Sequence, residues 1–118
     1  MNLNLYEVNG TTIAEVVSDE TVISNVEDAL DLLANSAYQG ASSIILQEKN
    51  LTPDFFDLKT GIAGEILQKF SIYDIKLAIA GDFSKYPSKS LRDFIYESNK
   101  MGRINFVSTL EEAREKLK

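Results

Sequence analysis

Apolar and polar residues alternate along the beginning of the chain in a way that is typical of a β-hairpin. Residues 3–8 follow this alternation, which predicts a strand with one buried face. The dipeptide Asn9-Gly10 comes next and favours a type I′ turn, because both central positions of that turn require a positive φ angle. Residues 12–17 are therefore predicted to form the second strand of the hairpin.

Apolar residues recur at helical spacing in four later segments. The first segment, residues 25–39, follows a capping box at Ser24–Glu27, which predicts Ser24 as the residue that caps the helix. Its predicted buried stripe consists of Val26, Ala29, Leu30, Leu33, Ala34 and Ala37. Three further helices are predicted at about residues 57–70, 88–102 and 109–118.

Short apolar runs between these helices predict buried strands at residues 43–46, 75–80 and 103–108. The order β-β-α-β-α-β-α-β-α predicts an α/β fold with a mixed, mostly parallel five-stranded sheet, because parallel neighbours require crossover connections. Right-handed crossovers bring every loop from a strand to a helix to the carboxyl edge of the sheet. With no linker, repeat or low-complexity tract, residues 1–118 are predicted to form a single domain.

The stretch NLTPDFFDLKTGIAG places two glycines, Gly61 and Gly64, where a helix is predicted to begin. On a helical wheel at about 100° per residue, both glycines lie opposite the apolar stripe of that helix. Each costs about 0.5–1 kcal/mol relative to alanine inside a helix, which suggests that another molecule approaches the main chain there. In the alternative interpretation, residues 57–61 form a turn capped by Asp57 or Thr60, and Gly61 fits a tight bend.

Composition and charge narrow the range of functions. The chain has 118 residues and a net charge of −6, which repels nucleic acids and acidic membrane surfaces. It contains no run of about 18 apolar residues and no signal-peptide pattern, so we expect a soluble, cytoplasmic protein without membrane contact. The absence of cysteine and histidine removes the commonest metal ligands and general base, so no metal, cofactor or catalytic residue is assigned.

Charged loop residues at the predicted carboxyl edge leave a ligand site open as an alternative. No Walker loop and no dinucleotide-binding glycine motif is present. Lys59, Lys85 and Lys89 would nevertheless favour an anion beside a helix N-terminus. Asp54 and Asp57 would border the same pocket, in a spacing that matches no calcium loop. The alternative function is therefore a small-molecule or anion-binding protein, or an enzyme that uses carboxylates and lysines.

Three stretches carry a resemblance to a known family: NLTPDFFDLKTGIAGEILQKF, GDFSKYPSKSLRDFIYESNK and INFVSTLEEA. They resemble a family of small bacterial proteins that is catalogued only as domain of unknown function 4180. The resemblance covers essentially the whole chain. It implies a bacterial, single-domain protein and brings no known activity.

The element order also resembles the STAS domain of anti-sigma-factor antagonists, which works by protein contact without catalysis. In that family a D-S-S-G motif opens the helix after the third strand, and its second serine is phosphorylated by the partner kinase. Here Asp57-Leu58-Lys59-Thr60-Gly61 occupies the matching place, with the aspartate one residue early and Lys59 in place of a serine. The resemblance implies Thr60 as the phosphorylation site.

The favoured function is therefore a non-enzymatic regulatory module that binds a protein partner and is switched by phosphorylation. Its docking edge would comprise the loops at the carboxyl edge and the start of the second helix. The candidate residues are Asp54, Asp57, Lys59, Thr60, Gly61, Gly64, Lys85 and Lys89. A third hypothesis is a homodimer formed through Tyr73, Phe83, Tyr86 or the first hairpin.

Overall fold

A computed structural model describes residues 2–118 and contains one five-stranded sheet whose strands follow each other in chain order. The first two strands are antiparallel, and every later neighbour is parallel. This confirms the predicted mixed, mostly parallel sheet. The strands are β1 (Asn2–Val8), β2 (Thr11–Val17), β3 (Ser43–Gln47), β4 (Lys76–Ala80) and β5 (Ile104–Val107).

Four helices connect or follow the parallel strands, as the apolar spacing predicts. They are α1 (Val26–Tyr38), α2 (Ile62–Ile72), α3 (Lys89–Met101) and α4 (Leu110–Leu117). Three short 3₁₀ turns occupy the connection between β3 and α2, at Glu48–Asn50, Pro53–Phe56 and Leu58–Thr60. None of the helices within residues 2–118 has the length and apolar character needed to cross a bilayer.

The start and the buried face of α1 differ from the prediction. Asn25, not Ser24, caps the helix: its side chain accepts a 2.9 Å hydrogen bond from the N–H of Asp28. The Asp28 carboxylate in turn accepts a 2.8 Å bond from the N–H of Ser24, so the reciprocal box is shifted by one residue. The buried residues of α1 are Ala29, Leu32, Leu33 and Ser36, whereas Ala34 and Ala37 are exposed.

Alternate residues of the central strands enter two separate hydrophobic clusters. In β3, Ile44 and Leu46 join the larger cluster, which also contains the apolar residues of α1, α2 and α3. Ile45 points the other way and joins the smaller cluster with Ala113 and Leu117 of α4. Because helices cover both faces of β3, its apolar residues follow each other without alternation.

A polar network fixes α4 to the first two strands. Glu15 of β2 is buried, and its carboxylate accepts hydrogen bonds from Tyr6 at 3.0 Å and from the guanidinium of Arg114 at 3.1–3.2 Å. Burial is the largest cause that raises the pKa of the Tyr6 phenol. The buried carboxylate therefore has partners from two other elements.

Candidate functional site

The predicted docking edge lies where the parallel strands end. The segment after β3, residues 48–61, and the segment after β4, residues 81–88, are in contact there. Each segment leads into the first turn of a helix, α2 or α3. Because β3 and β4 are parallel, their carboxyl ends and the segments that follow them lie at the same edge of the sheet.

Asn50 anchors the segment after β3 to the loop that precedes α1. Its side chain is fully buried. The amide nitrogen Nδ2 donates hydrogen bonds of 2.9 Å to the carbonyl oxygens of Ser18 and Glu20, and Oδ1 accepts one of 2.8 Å from the N–H of Gln47. Since its donor and acceptor atoms both have partners, the buried amide holds the loop that precedes α1 against the end of β3.

The side chains just before α2 stabilise the turn that leads into the helix. The carboxylate of Asp57 accepts a 3.3 Å hydrogen bond from the N–H of Lys59. The hydroxyl oxygen of Thr60 lies 2.8 Å from the carbonyl oxygens of Asp54 and Asp57, which share its single proton. The same oxygen accepts a 3.3 Å bond from the N–H of Ile62. Asp57 and Thr60 thus both have a structural role in this turn.

Gly61 and Gly64 leave a strip of main chain without side chains at the start of α2. Gly61 has a φ angle of 78°, the left-handed conformation that favours glycine, as the tight-bend interpretation predicts. Gly64 lies in the first turn of α2 and is exposed. A Cβ added to either glycine would have no neighbouring atom within 4 Å. We call this the glycine strip.

Two of the lysines predicted for the edge form ion pairs with carboxylates of this chain. The Nζ atom of Lys85 lies 2.7 Å from Oε2 of Glu48, and that of Lys89 lies 3.0 Å from Oδ2 of Asp93. Lys59 and Asp54 are exposed. Each of the two paired lysines therefore has a carboxylate of its own. Across residues 2–118, no three side chains of His, Cys, Asp or Glu are grouped so that they could hold a metal ion.

Glu48 joins the two segments through its carboxylate. The side chain is 13% exposed, and it accepts a hydrogen bond from the Tyr86 phenol in addition to its ion pair with Lys85. Burial first, and then the hydrogen bond and the charge of Glu48, raise the pKa of Tyr86. Tyr86 therefore stays protonated and donates its hydrogen to the carboxylate across the neutral pH range.

Five aromatic rings form a continuous row across the same edge, which we call the aromatic row. Tyr86 stacks on Phe56 with ring centroids 5.0 Å apart and an angle of 17° between the planes. Phe56 also contacts Phe55, with ring centroids 5.1 Å apart, and Phe83, with ring centroids 5.9 Å apart. Phe83 continues the row to Phe106 of β5 with a centroid distance of 5.2 Å. The row connects the segment after β3 with the segment after β4 and with β5.

A cleft of about 530 Å³ opens beside the aromatic row. It is lined by Phe56, Asp57, Leu58, Lys59, Tyr86, Pro87, Ser88 and Ser90. Of the predicted site residues, Asp57 and Lys59 line this cleft, and Lys85 lines a neighbouring groove of about 270 Å³. Asp54, Thr60, Gly61, Gly64 and Lys89 line neither cavity.

Asn50, Glu48 and Tyr86 are not among the residues that the sequence predicts for the docking edge. Two adjacent phenylalanines inside a loop, at residues 55–56, are the one signal that could have indicated them. A loop that buries two aromatic rings needs other loops packed against it. Their partners in the loop after β4 lie about thirty residues further along the chain, where periodicity carries no information.

The fold and the site define an α/β protein in which helices pack on both faces of one sheet and loops with mixed charge meet at its carboxyl edge. The chain belongs to the family described as Domain of unknown function (DUF4180), whose sequence model matches residues 8–117. A search of curated proteins and a search of solved structures each found no significant match.

Proposed function

We propose that this chain is a non-enzymatic regulatory module that binds a protein partner at the carboxyl edge, through the loop after β3 and the first turn of α2. The observation that carries the proposal is the glycine strip: apart from the adjacent main chain, no atom lies within 4 Å of the place where a side chain at Gly61 or Gly64 would begin. A partner can therefore contact the main chain directly. The exposed side chains of Lys59 and Thr60 lie beside the strip.

The energetic argument rests on Gly64. Its neighbour Gly61 needs glycine for its φ angle, so the fold itself explains that residue. Gly64 lies in a helix, where alanine would be more stable by about 0.5–1 kcal/mol and would meet no neighbour. The stability of the fold therefore does not explain a glycine at this position, whereas the close approach of a partner would explain it.

Phosphorylation of Thr60 would regulate the docking edge. Thr60 is exposed and directly precedes Gly61, so a phosphate there would add a charge of about −1.5 to −2 next to the glycine strip. The N-terminus of α2 would tolerate this charge within the chain, whereas a docked partner would have to desolvate it. The order of strands and helices resembles that of the STAS domain of anti-sigma-factor antagonists, and this resemblance is the basis for a switch of this kind.

The docking edge is tested by adding a bulky side chain to the glycine strip. Gly64→Arg is compared with Ser71→Arg, which changes an exposed residue near the other end of the same helix. Proteins captured from the native cell by the wild-type chain provide the readout. We expect Gly64→Arg to lose a specific protein that Ser71→Arg retains. Equal capture by both variants would contradict docking at this edge.

The phosphorylation switch needs a separate pair of variants, because Thr60 also has a structural role. Thr60→Val and Thr60→Glu both remove the hydroxyl that bonds to the carbonyls of Asp54 and Asp57, but only the glutamate adds a charge. We expect Thr60→Glu to release the captured protein and Thr60→Val to keep it. Release by both variants would mean that the turn, and not the charge, controls binding.

A second candidate function is the binding of a small anionic molecule in the cleft of about 530 Å³. The cleft combines the aromatic surface of Phe56 and Tyr86 with Lys59 and with the hydroxyl groups of Ser88 and Ser90 at the start of α3. A flat ligand with an anionic group would fit this combination. Thermal shifts with inorganic phosphate and nucleotides test it, and a shift that disappears in Lys59→Ala but persists in Lys69→Ala would support it.

A further inference from the structure

We propose that the free edge of β1 pairs with the same edge of a second copy of this chain, so that two sheets join across a two-fold axis. The partner is thus defined by its main chain: a strand that is antiparallel to β1 and identical to it. This inference goes beyond the proposed function, because it concerns the side of the sheet formed by the first hairpin and requires nothing at the carboxyl edge.

The hydrogen bonds of β2 show which main-chain groups of β1 are free. The N–H of Ser42 donates to the carbonyl of Thr12 at 2.9 Å, so the main chain of Thr12 faces β3. Main-chain groups alternate along a strand, so Ile13 faces β1, where it lies opposite Tyr6. The even-numbered residues of β1 therefore bond to β2. The odd-numbered residues, Leu3, Leu5 and Glu7, direct their N–H and C=O groups away from the sheet.

The edge of β1 lacks the features by which edge strands usually avoid pairing. Its seven residues oppose β2 in an unbroken register, from Asn2 opposite Val17 to Val8 opposite Thr11, so no bulge bends the strand. It contains no proline and no lysine, and Glu7 is its one charged residue. Natural proteins protect edge strands with such features, and a regular strand without them is a template for another strand.

The opposite edge of the sheet is blocked by the chain itself. In β5, the N–H of Phe106 donates to Oδ1 of Asn99 at 2.7 Å, and Nδ2 of Asn99 donates to the carbonyl of Phe106 at 3.2 Å. One side-chain amide thereby occupies the outward N–H and C=O groups of Phe106, in the place of a neighbouring strand. The two edges differ, and β1 is the edge that the structure leaves free for pairing.

A two-fold axis through Leu5 makes the edge of β1 complementary to itself. Leu5 is the central residue of the strand and one of the three whose groups point outward. In this register Leu5 lies opposite the partner's Leu5, and Leu3 lies opposite the partner's Glu7. Every outward main-chain N–H and C=O group of these residues then has a hydrogen-bond partner. The two glutamates do not face each other. This arrangement avoids the direct repulsion between like charges that an axis through Glu7 would create.

The proposed pairing ends at a dimer. A two-fold contact uses the same edge on both copies, so a β1–β1 pair leaves no free β1 edge. Growth into longer sheets would require β5, whose outward groups at Phe106 are bound by Asn99. The half-buried side chains of Leu3 and Leu5, which pack against the larger hydrophobic cluster, would also be covered further by the second copy.

Sedimentation of the full chain from micromolar to millimolar concentration provides the first test. We expect a monomer–dimer equilibrium that Glu7→Pro weakens by about tenfold or more and that Glu7→Ala leaves intact. Proline removes the outward N–H of residue 7, which has no partner in β2, so circular dichroism should remain that of the wild type. A wild-type chain that stays monomeric, or a dimer equally strong in both variants, would overturn the proposal.

Introduced cysteines provide a second test, which does not depend on how proline is tolerated. The chain contains no cysteine, so a single substitution reports on that position alone. Directly opposed residues in a hydrogen-bonded antiparallel pair have Cα atoms about 5.5 Å apart, a distance within the range that a disulfide spans. Under mild oxidation we expect Leu5→Cys to form a covalent dimer and Glu7→Cys to remain largely monomeric. Equal cross-linking of both would contradict an axis at Leu5.

Discussion

A Cβ added to Gly81 would lie 2.6 Å from the Cβ of Glu48, closer than two such atoms can approach. The reason is the parallel register, which pairs Gln47 with Ala80 and so brings the next residue of each strand side by side. The missing side chain at Gly81 lets Glu48 lie against the segment after β4. There its carboxylate reaches Lys85 and Tyr86.

We therefore expect Gly81→Ala to lower the free energy of unfolding by about 1–3 kcal/mol, because the new methyl group displaces Glu48 at its Cβ, close to the main chain. Thermal and urea denaturation measure this change. Gly64→Ala is the matched control: its methyl group meets no atom within 4 Å and should leave stability unchanged or raise it by up to about 1 kcal/mol. A similar loss in both variants would show that the contact with Glu48 is not the cause.

Stability should depend on pH through Tyr86. Burial and Glu48 raise the pKa of its phenol above the value of about 10 that tyrosine has in an unfolded chain. The folded state therefore holds this proton more tightly. Its contribution to stability is complete below about pH 10 and is lost as the pH rises towards the pKa of the folded state.

The comparison with Tyr86→Phe isolates this effect, because phenylalanine keeps the ring that stacks on Phe56. We expect the free energy of unfolding to fall less steeply above about pH 10 in the variant than in the wild type. Urea denaturation at several pH values measures both slopes. Tyr6, whose pKa is also raised, contributes to both proteins and cancels in the difference. Identical slopes would contradict the role assigned to Tyr86.

Removal of the buried side-chain amide of Asn50 should lower the free energy of unfolding. Asn50→Ala leaves the carbonyls of Ser18 and Glu20 and the N–H of Gln47 without this partner, and we expect a loss of about 2–4 kcal/mol. Urea denaturation measures the loss. Asn35→Ala, at an exposed position in α1, should change stability by about 0.5 kcal/mol or less. Equal effects at the two positions would mean that Asn50 does not anchor the loops.

The amide of Asn99 should protect the outer edge of β5. Asn99→Ala removes the partner of both main-chain groups of Phe106, and we expect a loss of about 1–2 kcal/mol and faster hydrogen exchange at the Phe106 N–H. Lys100→Ala, at the next exposed position of the same helix, is the control and should leave this exchange unchanged. Unchanged exchange in Asn99→Ala would show that α3 itself, and not the amide, covers the edge.

The sequence predicts the order and type of the elements well, because each strand or helix has a period that can be read over a few residues. It predicts less well which face of a helix is buried and what conformation a loop adopts. In α1, Leu32 is buried and Ala34 is exposed, since the position of α2 decides which side of an alanine-rich helix is covered. The connection between β3 and α2 contains three 3₁₀ turns that carry too little periodicity to predict.

By itself, the sequence determined the α/β architecture, the hairpin at the start and the bend at Gly61, because helical and strand periods and turn residues act over short distances along the chain. The tertiary structure alone decided that Glu48 meets Tyr86 and that Asn50 holds the loop before α1 against the segment after β3. Such contacts depend on where packed strands bring distant loops together. They follow from the register of the sheet, and no local pattern in the loops encodes that register.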